Sequence, residues 1–332
     1  MMNNKIDYLF FATKKHSFGA IGSKRIFSKI PFSTQKIRAG IPSDVDSILK
    51  KMIRDEIEIK NILFGNVVTC SDIMRRYLVD KGISVTSYEL GWFPHYKTTH
   101  FDPLGFSDKS LLAKSRLDNV PDIKCDLKLF KKQKIIHPLS NKQYILLVLQ
   151  DTNDSTIVHG YPDFKNWQTI INFANSLKLG NEILAIKMHP KNIKHKIKID
   201  VPKNAIKITS THTNHDLLEN ANLVIGVNST MLYEASLLYD KPVLALGNSW
   251  FDAHPEVAKK VKITDRNIDR PIVNVGDIKY RRKMFHIMMK MQMPSHKNVS
   301  DNADLDYICR FLKHHDKISK VKKITDLLKD DG

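Results

Sequence analysis

Short apolar runs alternate with polar loops and helix-length segments through the second half of this chain, and this alternation constrains the fold more than any other feature. Continuous apolar runs of strand length are typical of parallel strands that are covered on both faces. The runs are Tyr144–Leu149, Ile183–Met188, Ile206–Ile208, Leu223–Val227 and Pro242–Leu246. The helical segments between them are Phe164–Leu177, Asp216–Asn220 and Thr230–Tyr239. Strands that alternate with helices predict an α/β fold with a parallel sheet.

A similar unit is readable earlier in the chain. Asn66–Cys70 and Ile83–Leu90 read as strands on either side of a helix, Asp72–Asp80. Ser71 is the expected N-cap of that helix and Gly82 its stop. Asp7–Ala12 reads as a further buried strand, not as the apolar core of a signal peptide, because a small-residue cleavage site is missing.

The polar, lysine-rich segment Lys124–Lys142 contains Pro138 and is typical of a connection between domains. We therefore expect an α/β chain with two doubly wound domains, residues 1–137 and 138–276. Residues 277–332 are predicted to form C-terminal helices that pack back on the first domain, with Leu305, Ile308 and Leu312 on one face. In such folds ligands bind beyond the carboxyl ends of the strands, in a cleft.

Composition narrows the class of protein. The 332 residues contain 53 Lys and Arg against 35 Asp and Glu, so the formal net charge is +18. The three cysteines, Cys70, Cys125 and Cys309, are widely spaced, which disfavours a disulfide framework or structural zinc and favours a reducing cytoplasm. An apolar stretch long enough to span a membrane is missing from the sequence. Asp44-Val-Asp46 lies in a polar stretch and reads as a helix start, not as a metal-binding motif.

The positive charge favours polyanionic partners. A solvated lysine-rich surface is one interpretation of the basic runs, and attachment to an anionic membrane surface is another. Nucleic acid is not expected as a partner, because the runs are not interleaved with aromatic residues that could stack on bases.

The loop after Leu223–Val227 is the first candidate binding element. Its sequence Gly226-Val-Asn228-Ser229-Thr230 places Ser229 as the N-cap of the next helix, whose free N–H groups and dipole suit a phosphate. Glu234 lies on the same helix face as Thr230 and interrupts an apolar segment, where a ribose diol could be its partner. Alternatively, Ser229 is only a cap and Glu234 a solvated residue.

Three more loops carry polar residues at predicted strand ends. His189, followed by Pro190, comes after Ile183–Met188 and could donate to a phosphate. Gln150, Asp151 and Asp154 follow Tyr144–Leu149, and the two carboxylates could act as nucleophile or base, or merely form a turn. Glu89, at the end of Ile83–Leu90, is a candidate acid/base or a solvated carboxylate.

These residues lie in sequence segments that resemble those of the bacterial capsule polysaccharide biosynthesis glycosyltransferases, which include the retaining β-Kdo transferases. The matching segments cover roughly residues 66 to 250 and read ELGWFPHYKTTHFDPLG, ILLVLQDTNDSTI, IKMHP and LLENANLVIGVNSTMLYEASLLYDKPVLALG. The last segment is the most specific. A glycine-rich loop after the first strand, common in this fold, is not obvious.

The resemblance implies a GT-B fold, with two Rossmann-like domains facing a central cleft, and a metal-independent enzyme without a cofactor. The implied reaction transfers Kdo or a similar acidic sugar from a CMP-sugar to a surface polysaccharide or glycolipid, as in capsule or lipopolysaccharide synthesis. It further implies that His189, Ser229 and Thr230 hold the CMP phosphate and that Glu234 holds the ribose. Asp154, or else Asp151, is implied as the nucleophile of a double displacement, and Glu89 as the acid/base.

Other functions remain open at this stage. A GT-B enzyme with a UDP- or GDP-sugar donor would share the fold but need no nucleophile at Asp154. A non-catalytic glycan-assembly or export module would keep the fold without turnover. A glycosyltransferase with either kind of donor is expected in the cytoplasm, and peripheral attachment to the cytoplasmic face of the inner membrane is the corresponding expectation from the basic runs.

Overall fold

The computed structural model describes most of the chain. Described are residues 5–12, 33–38, 42–65, 69–94, 97–125, 127, 139, 142–152, 154, 157, 161, 164, 166–208, 214–265, 268–295 and 305–331. The chain divides into two compact units, one of residues 1–115 with 287–332 and one of residues 116–286.

The first unit is built on a six-stranded sheet. Its strands are β1 (Lys5–Ala12), β2 (Thr34–Arg38), β3 (Glu58–Gly65), β4 (Ser84–Leu90), β5 (Thr98–Asp102) and β12 (Gln292–Pro294), in the order β12-β5-β4-β3-β1-β2. The first four run parallel, and β5 and β12 add an antiparallel edge. Helices α1 (Pro42–Arg54) and α2 (Asp72–Asp80) connect parallel strands, and α1 buries Val45, Leu49 and Met52.

The C-terminal segment from Ile287 belongs to this first unit. Helix α7 (Val275–Met291) contains the boundary between residues 286 and 287 and leads directly into β12, which pairs with β5. Helix α8 (Leu305–Ile318) follows, and its Phe311 packs against Phe101 of β5 with ring centroids 4.7 Å apart. The side chains of Leu305 and Ile308 lie outside the described residues.

The second unit is a fully parallel α/β domain. Its strands are β6 (Tyr144–Val148), β7 (Ile183–Lys187), β8 (Ala205–Ile208), β9 (Leu223–Gly226), β10 (Val243–Ala245) and β11 (Lys259–Lys260). Between them lie α3 (Trp167–Ser176), α4 (Pro190–Lys194), α5 (Asn214–Glu219) and α6 (Thr230–Tyr239). The strand order is β8-β7-β6-β9-β10-β11, with every pair parallel. This is the 3-2-1-4-5-6 order of a Rossmann-type sheet, which reverses direction between β6 and β9.

The predicted strands and helices of this unit are confirmed to within a few residues, and α6 has the predicted bounds. Ser71 caps α2 by accepting a hydrogen bond from the Met74 N–H, and Asp44 lies in the first turn of α1, as predicted. The strand predicted at Asn66–Cys70 is wrong in its position. The strand is β3, which ends at Gly65; Thr69 and Cys70 are not in a strand, and residues 66–68 lie outside the described residues.

The boundaries between the units differ from the predicted 137/138 and 276/277. Residues from Arg116 onward are anchored within the second unit, because the Arg116 guanidinium donates to the carboxylate of Glu256 and to the carbonyl of Ala253. Asp122 pairs with Lys279 and Lys283 of α7. Most of the predicted connection Lys124–Lys142 lies outside the described residues. None of the described helices combines the length and the apolar character needed to cross a membrane.

Candidate functional site

The carboxyl ends of β6 and β9 are joined by two side-chain hydrogen bonds at the point where the strand order reverses. The Gln150 amide Nε2 donates to Asn228 Oδ1 at 2.9 Å, and the Asn228 backbone N–H donates to Gln150 Oε1 at 3.0 Å. Asn228 Nδ2 also donates to the Asn248 carbonyl at 3.3 Å. Ligands of doubly wound sheets bind at this position, so these two residues form the floor of the candidate site.

The loop that follows β6 is fixed by two neighbouring residues of α4. Asn192, 1% exposed, donates from Nδ2 to the Gln150 carbonyl at 2.6 Å. The Lys191 ammonium pairs with Asp151 Oδ2 at 2.8 Å, and the side chain of Asp151 is only 6% exposed. Both contacts bridge about 40 residues of chain. Lys191 and Asn192 are not among the functional residues predicted from the sequence.

The two candidate nucleophiles have different surroundings. Asp151 is buried and held in the ion pair with Lys191, whereas Asp154 is half-buried. The Asp154 N–H donates to the Asp151 carbonyl at 3.0 Å, and the Asp154 carbonyl accepts from the Ile157 N–H at 2.9 Å. Asn153, Ser155 and Thr156 lie outside the described residues. The backbone therefore forms turns here, and the more accessible carboxylate is that of Asp154.

The N-terminus of α6 has the capped geometry that the sequence predicts. Ser229 is the N-cap, and its Oγ accepts a hydrogen bond from the Met231 N–H at 3.3 Å. Ser229 and Thr230 are both partly exposed, so the first turn is accessible to a ligand. A Cβ on Gly226 would lie 3.3 Å from the Val148 carbonyl and 3.2 Å from Leu232, so glycine allows the strand and helix to approach closely. A helix start of this kind attracts anions through its free N–H groups and its dipole.

Glu234 lies in the second turn of α6 and is buried, with 9% of its surface exposed. Its Oε2 accepts from Asn214 Nδ2 at a long 3.5 Å. Burial raises the pKa of Glu234 to about 7, although the Asn214 hydrogen bond and the positive charge of Lys187 lower it. Burial also lowers the pKa of Lys187, the last residue of β7. A buried carboxyl so weakly bonded is a candidate acceptor for ligand hydroxyl groups.

His189 is half-buried between β7 and α4, and Pro190 is the first residue of α4. Its Nδ1 accepts a hydrogen bond from the Lys191 N–H at 3.2 Å. The proton of the neutral ring must therefore be on Nε2, which can donate to a ligand. Burial lowers the pKa of His189, against the negative charges of Asp151 and Asp154. The structure thus brings His189 and both aspartates into one electrostatic neighbourhood.

Glu89 lies in the first unit, near the end of β4. It is half-buried, and its Oε1 accepts from the Leu90 N–H at 2.9 Å. Of the polar residues downstream, Asp102 is buried and accepts backbone N–H bonds from Leu104, Gly105 and Leu111, which indicates that it organises the loop after β5. His100 stacks on Trp92 with centroids 4.0 Å apart. His95 lies outside the described residues.

The second unit therefore places a capped helix start, an imidazole donor, a buried carboxyl and a partly exposed aspartate at the carboxyl ends of β6, β7 and β9. This set suits a ligand that has a phosphate and a diol, such as a nucleotide. Within the part of the chain that the structure describes, three or more His, Cys, Asp or Glu side chains are nowhere grouped as a metal site.

Comparison with known proteins identifies a family. The model of the family described as "Capsule polysaccharide biosynthesis protein" matches residues 40–267, which is more than half of the chain. The chain matches no curated protein sequence.

Two solved structures share the architecture. One is Thermosulfurimonas dismutans KpsC, a beta Kdo 2,7 transferase, at 17% identity and a TM-score of 0.51 over 83% of this chain and 89% of that chain. The other is Thermosulfurimonas dismutans KpsC, a beta Kdo 2,4 transferase, at 13% identity and a TM-score of 0.50 over 82% of this chain and 88% of that chain. At these identities the likeness establishes the fold, a GT-B-like pair of Rossmann-like α/β domains.

Proposed function

We propose a function from the premise that this chain belongs to the capsule polysaccharide biosynthesis protein family. The proposed activity is that of a glycosyltransferase, which transfers an acidic sugar, Kdo or a close relative, from a CMP-sugar donor to a surface polysaccharide or glycolipid. The observation that carries the proposal is the capped start of α6 at the sheet reversal, with the buried Glu234 one turn further along the same helix. Both structural relatives are named as beta Kdo transferases, which supports the choice of sugar.

The donor would be held by its phosphate and its ribose. The N–H groups at the start of α6, the hydroxyl groups of Ser229 and Thr230, and the Nε2–H of His189 are the proposed phosphate donors. The carboxylate of Glu234 would accept both hydroxyl groups of the ribose. Negative charge that develops on the leaving phosphate is met by these fixed dipoles, so the proposal needs no metal ion.

The proposed chemistry is a double displacement with net retention. The Asp154 carboxylate attacks the anomeric carbon of the donor, the bond to the phosphate oxygen breaks, and CMP leaves. An acceptor hydroxyl then attacks the same carbon, its proton goes to a base, and the bond to Asp154 breaks. Retaining glycosidases use the same logic. Asp154 is chosen over Asp151 because Asp151 is buried in its ion pair with Lys191, and the role of Glu89 as the base stays a prediction.

The donor class places the proposed reaction in the cytoplasm, where activated sugars are made. The excess of Lys and Arg suits an acidic donor and a polyanionic acceptor. Attachment to the inner face of an anionic membrane is the corresponding proposal for location.

The test is calorimetric titration of the full chain with CMP, UDP and GDP. We expect selective binding of CMP, weakened about tenfold in Ser229→Ala and in Glu234→Ala. The matched control is Ser71→Ala, which removes an equivalent N-cap from α2 in the other unit and should leave CMP binding unchanged.

Each outcome has a different meaning. Selective CMP binding that is weakened only in the Ser229 and Glu234 variants supports the proposal, and retained transfer from CMP-Kdo in the Ser71 control completes it. Preference for UDP or GDP overturns the CMP-sugar assignment and leaves a GT-B enzyme with another donor. Failure of all three nucleotides to bind overturns the transferase and favours the non-catalytic assembly module.

A further inference from the structure

The antiparallel edge of the first sheet carries a row of three polar residues on one face. Glu89 of β4 lies directly opposite His100 of β5, and His100 lies directly opposite Gln292 of β12. Side chains that are opposite one another in an antiparallel pair point to the same face, with Cβ atoms about 5 Å apart. The C-terminal segment, which contributes Gln292, therefore completes a row that begins at the proposed base.

Leu90, the last residue of β4, links two members of this row. Its N–H donates to Glu89 Oε1 at 2.9 Å, and its carbonyl oxygen accepts from His100 Nδ1 at 2.9 Å. Because a carbonyl oxygen can only accept, Nδ1 must carry a proton. A change in the position of the Leu90 backbone would therefore move the carboxylate of Glu89, and the imidazole of His100 restrains that backbone.

The imidazole of His100 is itself held in one plane. It is buried and stacked on the indole of Trp92, with ring centroids 4.0 Å apart and 21° between the planes. Gln292 fixes the backbone of Trp92, because Gln292 Oε1 accepts the Trp92 N–H at 2.9 Å and the Phe93 N–H at 3.1 Å. The row and the stacked indole therefore keep Nδ1 aimed at the Leu90 carbonyl.

Exposure divides the row into two parts. His100 and Gln292 are 7% and 6% exposed, whereas Glu89 is only half-buried. A base that takes a proton from an attacking hydroxyl group must reach that group and must be held in one orientation. Within the row, Glu89 meets the first condition, and the buried residues beside it supply the second.

We propose that His100 is a positioning residue for the second step of the transfer. It holds the Leu90 peptide, and through it the Glu89 carboxylate, in the orientation in which Glu89 takes the proton of the attacking hydroxyl group. The inference rests on the proposed function and deepens it, because it assigns the support of the base to named residues of the first unit.

The second step can be followed with water as the acceptor. The water oxygen forms a bond to the anomeric carbon, its proton goes to the Glu89 carboxylate, and the bond to Asp154 breaks. The electron pair of that bond returns to the Asp154 carboxylate, and the free sugar leaves. With CMP-Kdo alone, the first turnover therefore releases about one equivalent of CMP, and further CMP appears at the rate at which the intermediate is hydrolysed.

The experiment measures CMP release from CMP-Kdo by the full chain, first in a rapid burst and then in the steady state. His100→Asn keeps an N–H donor near the position of Nδ1, His100→Gln places its donor near the position of Nε2, and His100→Leu has no donor. The control is His315→Leu, which removes another buried imidazole of the same unit, bonded through Nδ1 to Asp316. The double variant Glu89→Gln/His100→Leu tests whether His100 acts through Glu89.

We expect His100→Leu and His100→Gln to lower the steady-state rate about 10- to 100-fold, while the burst and the affinity for CMP stay unchanged. His100→Asn should retain a rate within about threefold of the wild type, and His315→Leu should match the wild type. The double variant should be no slower than Glu89→Gln alone, because two changes that act on one group are not additive.

A His100→Leu variant that turns over as fast as the wild type overturns the inference. A loss that multiplies with that of Glu89→Gln also overturns it, because His100 would then act independently of Glu89. An equal loss in His315→Leu would attribute the effect to stability and has the same consequence. Failure of the wild type to release CMP at all overturns the proposed function itself, so the two failures are distinguishable.

Discussion

Gln150 and Asn228 exchange two hydrogen bonds across the reversal point of the second sheet, although 78 residues separate them in the chain. The pair joins the loop that holds the proposed nucleophile to the loop that begins α6, the proposed phosphate-binding helix. Asn192 donates to the Gln150 carbonyl, so the end of β7 is tied to the same point. The geometry of the site therefore depends on side-chain amides that need not touch the ligand.

Gln150→Leu should weaken CMP binding and destabilise the fold together. Gln150 is 6% exposed, and its loss leaves Asn228 Oδ1 and the Asn228 N–H without this partner. Unsatisfied buried groups of this kind cost about 1–3 kcal/mol each. A double-mutant cycle with Asn228→Ala, followed by chemical unfolding, should give a coupling energy of at least about 1 kcal/mol. Gln168→Leu, which removes solvent-accessible hydrogen bonds to Asn172 and Asp200 away from the site, is the control. Additive effects at Gln150 and Asn228 would refute the coupling.

Asp154→Asn should lose activity, whereas Asp151→Asn should lose stability. Asp154→Asn is expected to abolish transfer from CMP-Kdo while it changes the melting temperature little, because the Asp154 side chain is partly exposed. Asp151→Asn breaks the ion pair with Lys191 beside a buried oxygen and should lower the free energy of unfolding by about 1–3 kcal/mol. Mass spectrometry of the wild type with donor alone, with fragmentation of the peptide that contains both aspartates, should find one sugar residue on Asp154. A sugar on Asp151 would reverse the assignment.

Substitution of Glu182 should lower the free energy of unfolding without changing CMP affinity. It lies just before β7, at the end of the sheet opposite the site, and pairs with Arg270 at 2.5 Å. The Arg270 and Asn222 hydrogen bonds outweigh burial and lower the pKa of Glu182 to about 2. Breaking a buried pair costs about 3–5 kcal/mol, so Glu182→Gln should lower the free energy of unfolding by about 3 kcal/mol at pH 7 and leave CMP affinity intact.

The pH dependence of this difference follows from the direction of the shift. The pKa is lowered on folding, so the contribution of ionised Glu182 is complete above about pH 4.5 and is lost as the pH falls towards 2. Unfolding curves of wild type and Glu182→Gln should therefore converge at low pH. A difference that persists unchanged at pH 2.5 would show that the ion pair is not its origin.

Local pattern was sufficient for the elements with continuous apolar runs. Tyr144–Val148 and Leu223–Gly226 are buried on both faces, and Thr230–Tyr239 has an N-cap that can be read from the sequence. The first sheet was harder to predict. The sequence of β3 is EIKNILFG, and its first half contains polar residues. The β-branched residues that follow it led to a strand prediction placed too far along the chain. β12 has three residues and exists through its pairing with β5, about 190 residues away.

In the candidate site too, residues with a local sequence signal were predicted, and residues whose roles depend on distant partners were not. Ser229, His189 and Glu234 were predicted because each follows a recognisable strand or lies in an apolar helix. Lys191 and Asn192 were missed because their roles depend on partners about 40 residues away, at the end of β6. Their signal in the sequence was only that they follow His189-Pro190 at a strand end. Residues that position a site in this way can be identified only when it is known which strands are neighbours in the sheet.

Lys187 should set the ionisation of Glu234. It is the last residue of β7, and its positive charge lowers the pKa of Glu234 against the effect of burial. CMP affinity is expected to fall with decreasing pH as the Glu234 carboxylate takes up a proton. Because Lys187→Met removes the positive charge, it should raise the midpoint pH of that fall by about 0.5–1 unit. Lys207→Met, at an exposed position of the neighbouring strand β8, should leave that pH unchanged. An identical profile in Lys187→Met and wild type would contradict this role.

Glu234→Gln should stabilise the fold and weaken nucleotide binding. Burial raises the pKa of Glu234 to about 7, so the folded protein holds this proton between about pH 4.5 and 7 while the unfolded chain releases it. Stability therefore falls as the pH rises through this window, by at most about 3 kcal/mol. Glu234→Gln carries no ionisable group here, so its melting temperature should exceed that of the wild type at pH 8 and equal it at pH 4.

The same substitution tests the proposed ribose contact. Wild-type CMP affinity should fall about tenfold from pH 8 to pH 6 as the Glu234 carboxylate takes up its proton, because a protonated carboxyl accepts the ribose hydroxyl groups less well. The affinity of Glu234→Gln should be lower than that of the wild type at pH 8 and should lack this part of the pH dependence. Glu219→Gln, exposed at the end of α5, controls for net charge. A Glu234→Gln variant that binds CMP as tightly as the wild type at pH 8 would contradict the proposed ribose contact. Higher stability of that variant would then show only that the buried carboxylate destabilises the fold.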